Sequence, residues 1–283
     1  MTFAEAMAIA ILQGITELFP ISSLGHAVVI PALVAPGIDL RSPAFLPFLV
    51  VLHLGTAIAL LAYFWRDWWE LFIGVFIGGQ DAAGEGRRRL LVLIVVATIP
   101  AVILGFAFEK ELRALFGEPK AAAGFLIANG VLLAVGELLR TRALNHAKPT
   151  DKPDRISFLG ALAVGLWQCL AFFPGISRSG ATMVGGLLAK LTHEQAARFS
   201  FLIATPVILG AAVLEVPKLL RHASPEAMMP LSTMAAGGVA AGIAAFLSVA
   251  FLMHYFRRHD FAALFPFAVY CVMFGTAALV LLS

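Results

Sequence analysis

Three ionisable side chains stand inside stretches that are otherwise almost wholly apolar: Glu17 and His26 in one, Arg178 in the other. The first stretch reads LQGITELFPISSLGH from Leu12 to His26, the second WQCLAFFPGISRSGAT from Trp167 to Thr182. An ionisable group at membrane depth costs at least about 2.5 kcal/mol, so its presence there points to a function. Taken singly, Glu17 reads as a helix-end carboxylate reaching an interface and His26 as a hydrogen-bonded core imidazole. Taken together, at matching breaks in two similar segments, the three read as a site. Pro20 followed by Ser22 and Ser23, and Pro174 followed by Ser177, each read as a helix break and a fresh N-cap. A helix N-terminus offers free N–H groups and a positive dipole end to an anion. Arg178 adds a planar fork that grips phosphoryl oxygens in pairs, and Ser22, Ser177, Ser179 and Thr182 add hydroxyls around it. On a helix starting near Ser22, Ser23 and His26 fall at i and i+3, so a hydroxyl and an imidazole share a face. Gln13 and Glu17 fall at i and i+4 on the preceding helix. Their amide and carboxylate oxygens suit a hard divalent cation, Mg2+ or Ca2+, that completes its shell with water and phosphate. A cation, an anion cradle, an arginine clamp and a nucleophile beside a base are the parts of a phosphoryl-transfer site.

The elements that must position these residues are those of a membrane protein. The chain has 283 residues, 60% hydrophobic and only 13% charged, against roughly 25% charged in soluble domains. Six segments approach the roughly 20 apolar residues needed to cross a bilayer: 45–65, 90–108, 121–139, 199–217, 229–253 and 261–283. Residues 6–38 and 156–189 are also apolar, but prolines divide each into halves too short to span. Paired interrupted segments of this kind mark re-entrant or broken helices around a midplane site. Both motifs run Gln, an apolar turn, Phe-Pro, a Ser-rich bend and a Gly. The order of elements repeats as well: interrupted segment, three spans, polar linker 140–155, interrupted segment, three spans. The expectation is one all-α polytopic membrane domain with six transmembrane helices and two re-entrant pairs. It is built as an inverted-topology repeat, 1–139 and 156–283, because three spans per half invert the second half.

Charge gives this topology an orientation. The side holding the mouth of the first re-entrant segment carries Arg41, Lys110, Arg113, Lys120, Lys218 and Arg221. The opposite side, from Arg66 through Arg258, carries more than twice as many. Positive charge marks the cytoplasmic face, so both termini and the first mouth face outward, and the second segment enters from the cytoplasm. The net charge of +3 is accounted for by these loops, and nucleic acid is not an expected partner. No Lys or Arg precedes Arg41, so the basic start of a cleavable signal is missing. Cys169 and Cys271 lie in apolar runs and imply neither a disulfide framework nor a metal site. The Arg87–Arg89 run and the linker cations read as loop charge, and Glu109 to Arg113 as a paired extracytoplasmic loop. His53, beside Gly55 in the first full span, reads as a packed histidine, with a place on the cavity wall as the alternative. His193-Glu194 lacks the second His of a zinc helix.

At the two motifs the sequence resembles the undecaprenyl-diphosphate phosphatase family, the bacitracin-resistance proteins. The family's first motif is matched by Gln13, Glu17, Pro20, Ser22, Ser23, Gly25 and His26, and its second, without a mismatch, from Pro174 to Thr182. LHLGTAIALLAYFWR and FSFLIATPVILGA extend the likeness over nearly the whole chain. The resemblance implies hydrolysis of undecaprenyl diphosphate in a bacterial inner membrane, dependent on a divalent cation, with the site open to the periplasm. That reaction recycles the lipid carrier for the cell wall and confers bacitracin resistance. It implies Ser23 and His26 as nucleophile and acid/base candidates, Arg178 on phosphate, and Glu17 with Gln13 on the metal. Membrane lipids are expected around the protein, and a homodimer is compatible with it. Gln13 stands where many members have Glu, and Leu24 where a small polar residue is common. The main alternative is a polyprenyl-phosphate transporter or flippase, because inverted repeats with broken helices are also transporter architecture. His259-Asp260 lacks the upstream Arg at the spacing that the other integral lipid phosphatase class requires.

Overall fold

The computed structural model describes residues 1–34, 42, 45–76, 82–108, 118–144, 149–222 and 229–283. The cations Arg41, Lys110, Arg113 and Lys148, and the loop from Glu109 to Arg113, lie outside the described residues. In chain order the helices are α1 (Phe3–Leu18), α2 (Ser23–Val34), α3 (Phe45–Tyr63), α4 (Trp65–Phe76), α5 (Ala82–Ala107) and α6 (Pro119–Leu144). They continue as α7 (Phe158–Cys169), α8 (Arg178–Leu188), α9 (His193–His222), α10 (Leu231–Arg258) and α11 (Phe265–Leu281). No strand occurs among the described residues. A single bridge between Thr150 and Leu191 pins the linker to the turn after α8.

All six expected spans are helical. Four are long and apolar enough to cross a membrane: Ala83–Ala107, Pro119–Arg142, His193–Val213 and Leu231–Arg258. A fifth candidate is the pair Pro47–Tyr63 and Trp65–Phe76, bent by 70°. The sixth, α11, has only 17 residues. Their outer faces are apolar at helical spacing, as Val92, Val95, Ile99 and Ile103 on α5 and Val239, Ile243 and Leu247 on α10 are all exposed. Such stripes on a folded surface need a lipid solvent. The protein is therefore an all-α, multi-pass membrane protein.

The halves interleave. α5 lies against α7 as α10 lies against α1, and α9 meets α5 as α3 meets α10. α6 packs along α11, and both α2 and α8 pack against α6. The arms α1, α2, α7 and α8 have 16, 12, 12 and 11 residues. At about 1.5 Å per residue none spans the roughly 30 Å core, so each pair turns back inside it.

Three features differ from the sequence reading. The expected span 45–65 ends as a helix at Tyr63, and Trp65, Trp68 and Trp69 belong to α4, a separate amphipathic helix held by the Arg198–Asp67 pair. Arg140, expected as linker charge, is a fully buried residue of α6, whose end lies beyond the expected boundary. Its Nη1 donates to the Asp260 carbonyl at 2.7 Å and its Nη2 to Asp260 Oδ1 at 2.8 Å. His193 completes the cluster, 2.9 Å from Glu137 Oε2 and 3.0 Å from Asp260 Oδ1. Arg89 likewise leaves the loop-charge role, donating to the Asp154 and Ile156 carbonyls at 2.7 and 3.1 Å.

Burial alone would raise the Asp260 carboxyl, but hydrogen bonds from His193 and the Arg140 charge hold it down at about 2. Because the folded value is depressed, its stabilisation is present above about pH 4, the ordinary Asp value, and is lost as pH falls toward 2. Arg140→Ala removes both hydrogen bonds to Asp260 and the cation 3.8 Å from the buried Glu137 carboxylate, and should lower stability by about 3 kcal/mol, read by thermal unfolding in detergent. Asp260→Asn should flatten the acid limb of the same measurement. Unfolding temperatures of both variants equal to wild type would refute this cluster's role.

Candidate active site

The first break follows from its proline and serines. α1 ends at Leu18, and Phe19 is extended at its C-cap. Ser22 then adopts φ of 69°, a left-handed conformation that residues other than glycine rarely take outside turns and functional sites. From there its Oγ accepts the Gly25 N–H at 3.2 Å and caps α2. The second break repeats the device, with Ser177 Oγ accepting the Gly180 N–H at 3.1 Å to cap α8.

The two tips touch. Ser177 and Ser179 both donate their hydroxyls to the Phe19 carbonyl, at 3.3 and 3.1 Å. Gly175 lets the second tip sit close against α6: it has φ of 121°, and a Cβ there would lie 2.4 Å from the Ala122 carbonyl oxygen. Asn129 of α6, fully buried, spans both breaks. Its Nδ2 donates to the Pro20 carbonyl at 2.9 Å, and its Oδ1 accepts the Ser177 N–H at 2.9 Å. Nothing in its local sequence sets Asn129 apart except that it is a lone amide in an apolar helix.

Glu17 is the centre of the polar cluster. Arg178 Nη2 donates to its Oε1 at 2.8 Å. Its Oε2 accepts from Ser23 Oγ at 2.5 Å and from Gln13 Nε2 at 3.0 Å. Arg178 Nη1 is buried without a protein partner, so half of the guanidinium fork remains available to an anion. Gln13, Glu17, Ser23 and Arg178 are thus brought together across some 160 residues of chain. His53 joins them, with Nε2 lying 3.1 Å from Gln13 Nε2 and 3.5 Å from Glu17 Oε2. His53 is hydrogen-bonded within its span, its Nδ1 lying 2.8 Å from the Leu49 carbonyl, and its other nitrogen lies against the polar cluster. The His at i+4 from Leu49 in an apolar span was the only signal of it.

Other expected members turn elsewhere. The i, i+3 meeting of Ser23 with His26 does not occur. His26 is stacked with Tyr270 and Phe274, at ring-centroid separations of 5.7 and 4.8 Å. Its Nδ1 lies 2.6 Å from the Ser22 carbonyl and its Nε2 2.8 Å from Tyr270 Oη. A carbonyl only accepts, so Nδ1 carries the proton there. Thr182 is also turned away, its hydroxyl 2.6 Å from that of Ser200. Ser22, Ser177 and Ser179 are committed to caps and to the joint between tips. The anion donors left are the Arg178 fork, the Ser23 hydroxyl and the N–H groups of the two first turns, which have no i−4 carbonyl. Asp260 belongs to the distant cluster of Arg140, while the His259 Nδ1 lies 2.9 Å from the Tyr255 carbonyl.

A divalent cation is implied by the sequence resemblance, and the donors bear on it. Among the described residues no group of three or more His, Cys, Asp or Glu side chains gathers as a metal site. The Glu17 carboxylate is accompanied instead by the Gln13 side-chain oxygen, which is buried and unbonded. That pair fits a cation that draws most of its shell from water and phosphate.

Residues 6–277 match the family described as bacitracin resistance protein BacA. The chain belongs to the BacA family. It is 53% identical over 282 residues to the undecaprenyl-diphosphatase of Acidiphilium cryptum (strain JF-5), covering 100% of this chain and 99% of that relative. It is 54% identical over 286 residues to that of Granulibacter bethesdensis, covering 99% and 96%. A relative named undecaprenyl-diphosphatase 2, from Chromobacterium violaceum, is 44% identical over 279 residues, 99% of this chain and 98% of its own. These likenesses span both tips of the BacA-family chain.

Asn129→Ala would leave the Ser177 N–H without a partner and the Pro20 carbonyl with only the Cys271 thiol, 4.0 Å away. At about 1–3 kcal/mol per unsatisfied group, the expected loss is about 2–4 kcal/mol in detergent unfolding. An unfolding temperature equal to wild type would show that Asn129 does not join the tips.

Proposed function

We propose that the protein hydrolyses undecaprenyl diphosphate to undecaprenyl phosphate and inorganic phosphate, recycling the lipid carrier used in cell-wall synthesis and conferring bacitracin resistance. The observation that carries this reading is the Ser23 hydroxyl donating at 2.5 Å to a Glu17 carboxylate that also holds Arg178. A hydroxyl on a carboxylate is an activated nucleophile, and the neighbouring guanidinium stabilises charge on phosphoryl oxygens. Full-length relatives named for the same activity support the substrate.

In this reading the terminal phosphoryl group lies against Arg178 and the first turns of α2 and α8. Ser23 Oγ bonds to the terminal phosphorus as its proton passes to Glu17. The bond from phosphorus to the bridging oxygen breaks, and undecaprenyl phosphate leaves with the electron pair. The first proton passes from Glu17 to the departing oxygen; water then attacks the phosphoserine phosphorus as Glu17 takes its proton, the phosphorus–Oγ bond breaks, that proton returns to Ser23 Oγ, and phosphate departs. A cation held by Glu17 and Gln13, Mg2+ or Ca2+ on their oxygen donors, would screen the negative charge of the diphosphate. His26 acts as a positioning residue, its Nδ1–H bracing the Ser22 carbonyl and so the strained start of α2. Ser177, Ser179 and Thr182 serve by setting the second tip.

The charge distribution supports a bacterial inner-membrane protein whose first tip opens to the periplasm. A homodimer is kept as part of the proposal, to be read from the mass of the detergent-solubilised protein. The flippase reading rests on architecture alone, and the activity in the relatives' names does not favour it.

The test is phosphate release from undecaprenyl diphosphate by the purified protein. Ser23→Ala, Glu17→Ala and Arg178→Ala should abolish it, whereas His26→Ala should lower kcat by about 10–100-fold, as expected for lost positioning. Rapid acid quench should trap phosphate on Ser23. Turnover surviving in Ser23→Ala but absent in His26→Ala would make the histidine the nucleophile. Absent turnover in wild type, with lipid movement across liposomes, would replace the enzyme by a transporter.

A further inference from the structure

His53 has no part in the reaction just described, yet its ring is held as firmly as any in the site. Nδ1 lies 2.8 Å from the Leu49 carbonyl one turn earlier in α3. The carbonyl can only accept, so Nδ1 carries the proton. The other side of the ring is set by Gln13. Its Nε2 lies 3.0 Å from Glu17 Oε2, and a carboxylate oxygen needs a donor opposite it, which fixes that atom as the NH2 group. The same NH2 lies 3.1 Å from His53 Nε2, so His53 Nε2 presents a lone pair. The Gln13 Oε1, on a residue only 1% exposed, is left with no partner.

Two donor atoms therefore lie beside Glu17: the His53 lone pair, which only the Gln13 NH2 meets, and the Gln13 Oε1, which nothing in the protein meets. A ring N–H tied to a backbone carbonyl, with a lone pair on the opposite nitrogen, is how metal-ligating histidines are oriented, and here that lone pair is met only by the Gln13 NH2 that also reaches Glu17. We infer that His53 Nε2 is a ligand of the divalent cation, alongside Glu17 and Gln13. The inference rests on the cation site proposed above and deepens it.

It also changes which metal the site prefers. With Glu17 as its one carboxylate, the set supplies a single negative charge, which is weak for Mg2+ or Ca2+. A nitrogen ligand adds little for those cations and much for first-row transition dications, for which imidazole is a good donor. The site accordingly takes Mn2+ or Zn2+ in preference to Mg2+.

The experiment uses full-length protein in detergent, stripped with EDTA and titrated with Mn2+, with bound metal read by electron paramagnetic resonance. Wild type should bind Mn2+ and show nitrogen modulation from a coordinated imidazole in the pulsed spectrum. His53→Gln should lose that modulation and bind Mn2+ about tenfold more weakly, while the Mg2+ concentration needed to displace Mn2+ falls in step. Bound Mn2+ in wild type without nitrogen modulation overturns the inference whether or not the variant folds. So does the absence of bound Mn2+ while Mg2+ supports phosphate release, which leaves the phosphatase reading standing. Nitrogen-coordinated Mn2+ without phosphate release from any loaded form would sustain the ligand and defeat the phosphatase reading.

Discussion

A chain that interrupts its hydrogen-bond ladder in the middle of a bilayer must satisfy the freed groups with its own atoms, since lipid offers none and each orphan costs several kcal/mol. The first break frees the carbonyls of Phe19 and Pro20, and the second frees the N–H of Ser177. Each is met by the other break or by the helix between them: Phe19 by Ser177 and Ser179, Pro20 and Ser177 by the two ends of the Asn129 amide. Neither re-entrant pair could persist alone. The need to pair backbone is what brings the tips together, and Glu17 meets Arg178 because the tips have met.

The ion pair at that meeting point is poor evidence for stability. Removing two charges from water usually cancels what their attraction returns, and apolar residues would fill the space at less risk. What the pair provides is a carboxylate already oriented toward Ser23 and a guanidinium with one nitrogen to spare. The caps have the same character. Ser22 sits in the left-handed region and is over-determined by the Gly25 cap, the His26 ring and the helix it begins. Backbone strain maintained by surrounding contacts is a recurrent property of sites that hold reacting groups rigidly.

Most of the scaffold could be read from the sequence because its signals are local. Apolar length marks the spans, Pro followed by Ser marks the breaks and caps, and halves of the wrong length mark re-entry. The gathering of Gln13, Glu17 and Ser23 near Arg178 was legible for the same reason, each being tied to a break. What escaped depends on contacts remote in sequence. Arg140 looks like linker charge until Asp260 arrives from beyond α10. Asn129 is one amide in a span until both breaks reach it. The 70° bend before α4 has no proline to announce it. His26 was misplaced for a different reason. The i, i+3 rule gives a face of a regular helix, but position i here is Ser23, in the first turn after a left-handed residue. Tyr270 and Phe274 offer the imidazole an aromatic slot that sequence spacing does not reveal.

The two repeats also explain how one architecture comes to hold an asymmetric site. The structural parts are duplicated: Phe-Pro, then a Ser whose hydroxyl caps the helix through a Gly three residues on. Their chemistry is not. The first tip carries the carboxylate and the hydroxyl, the second the guanidinium. Gln168, standing where the first repeat has Gln13, is buried with neither amide atom bonded and has no acid at the place of Glu17, where Phe172 stands. A twofold array of like charges would repel at the point where the tips must touch. Dividing opposite charges between the repeats turns that contact from a repulsion into an attraction, so the asymmetry that makes catalysis feasible also allows the halves to close.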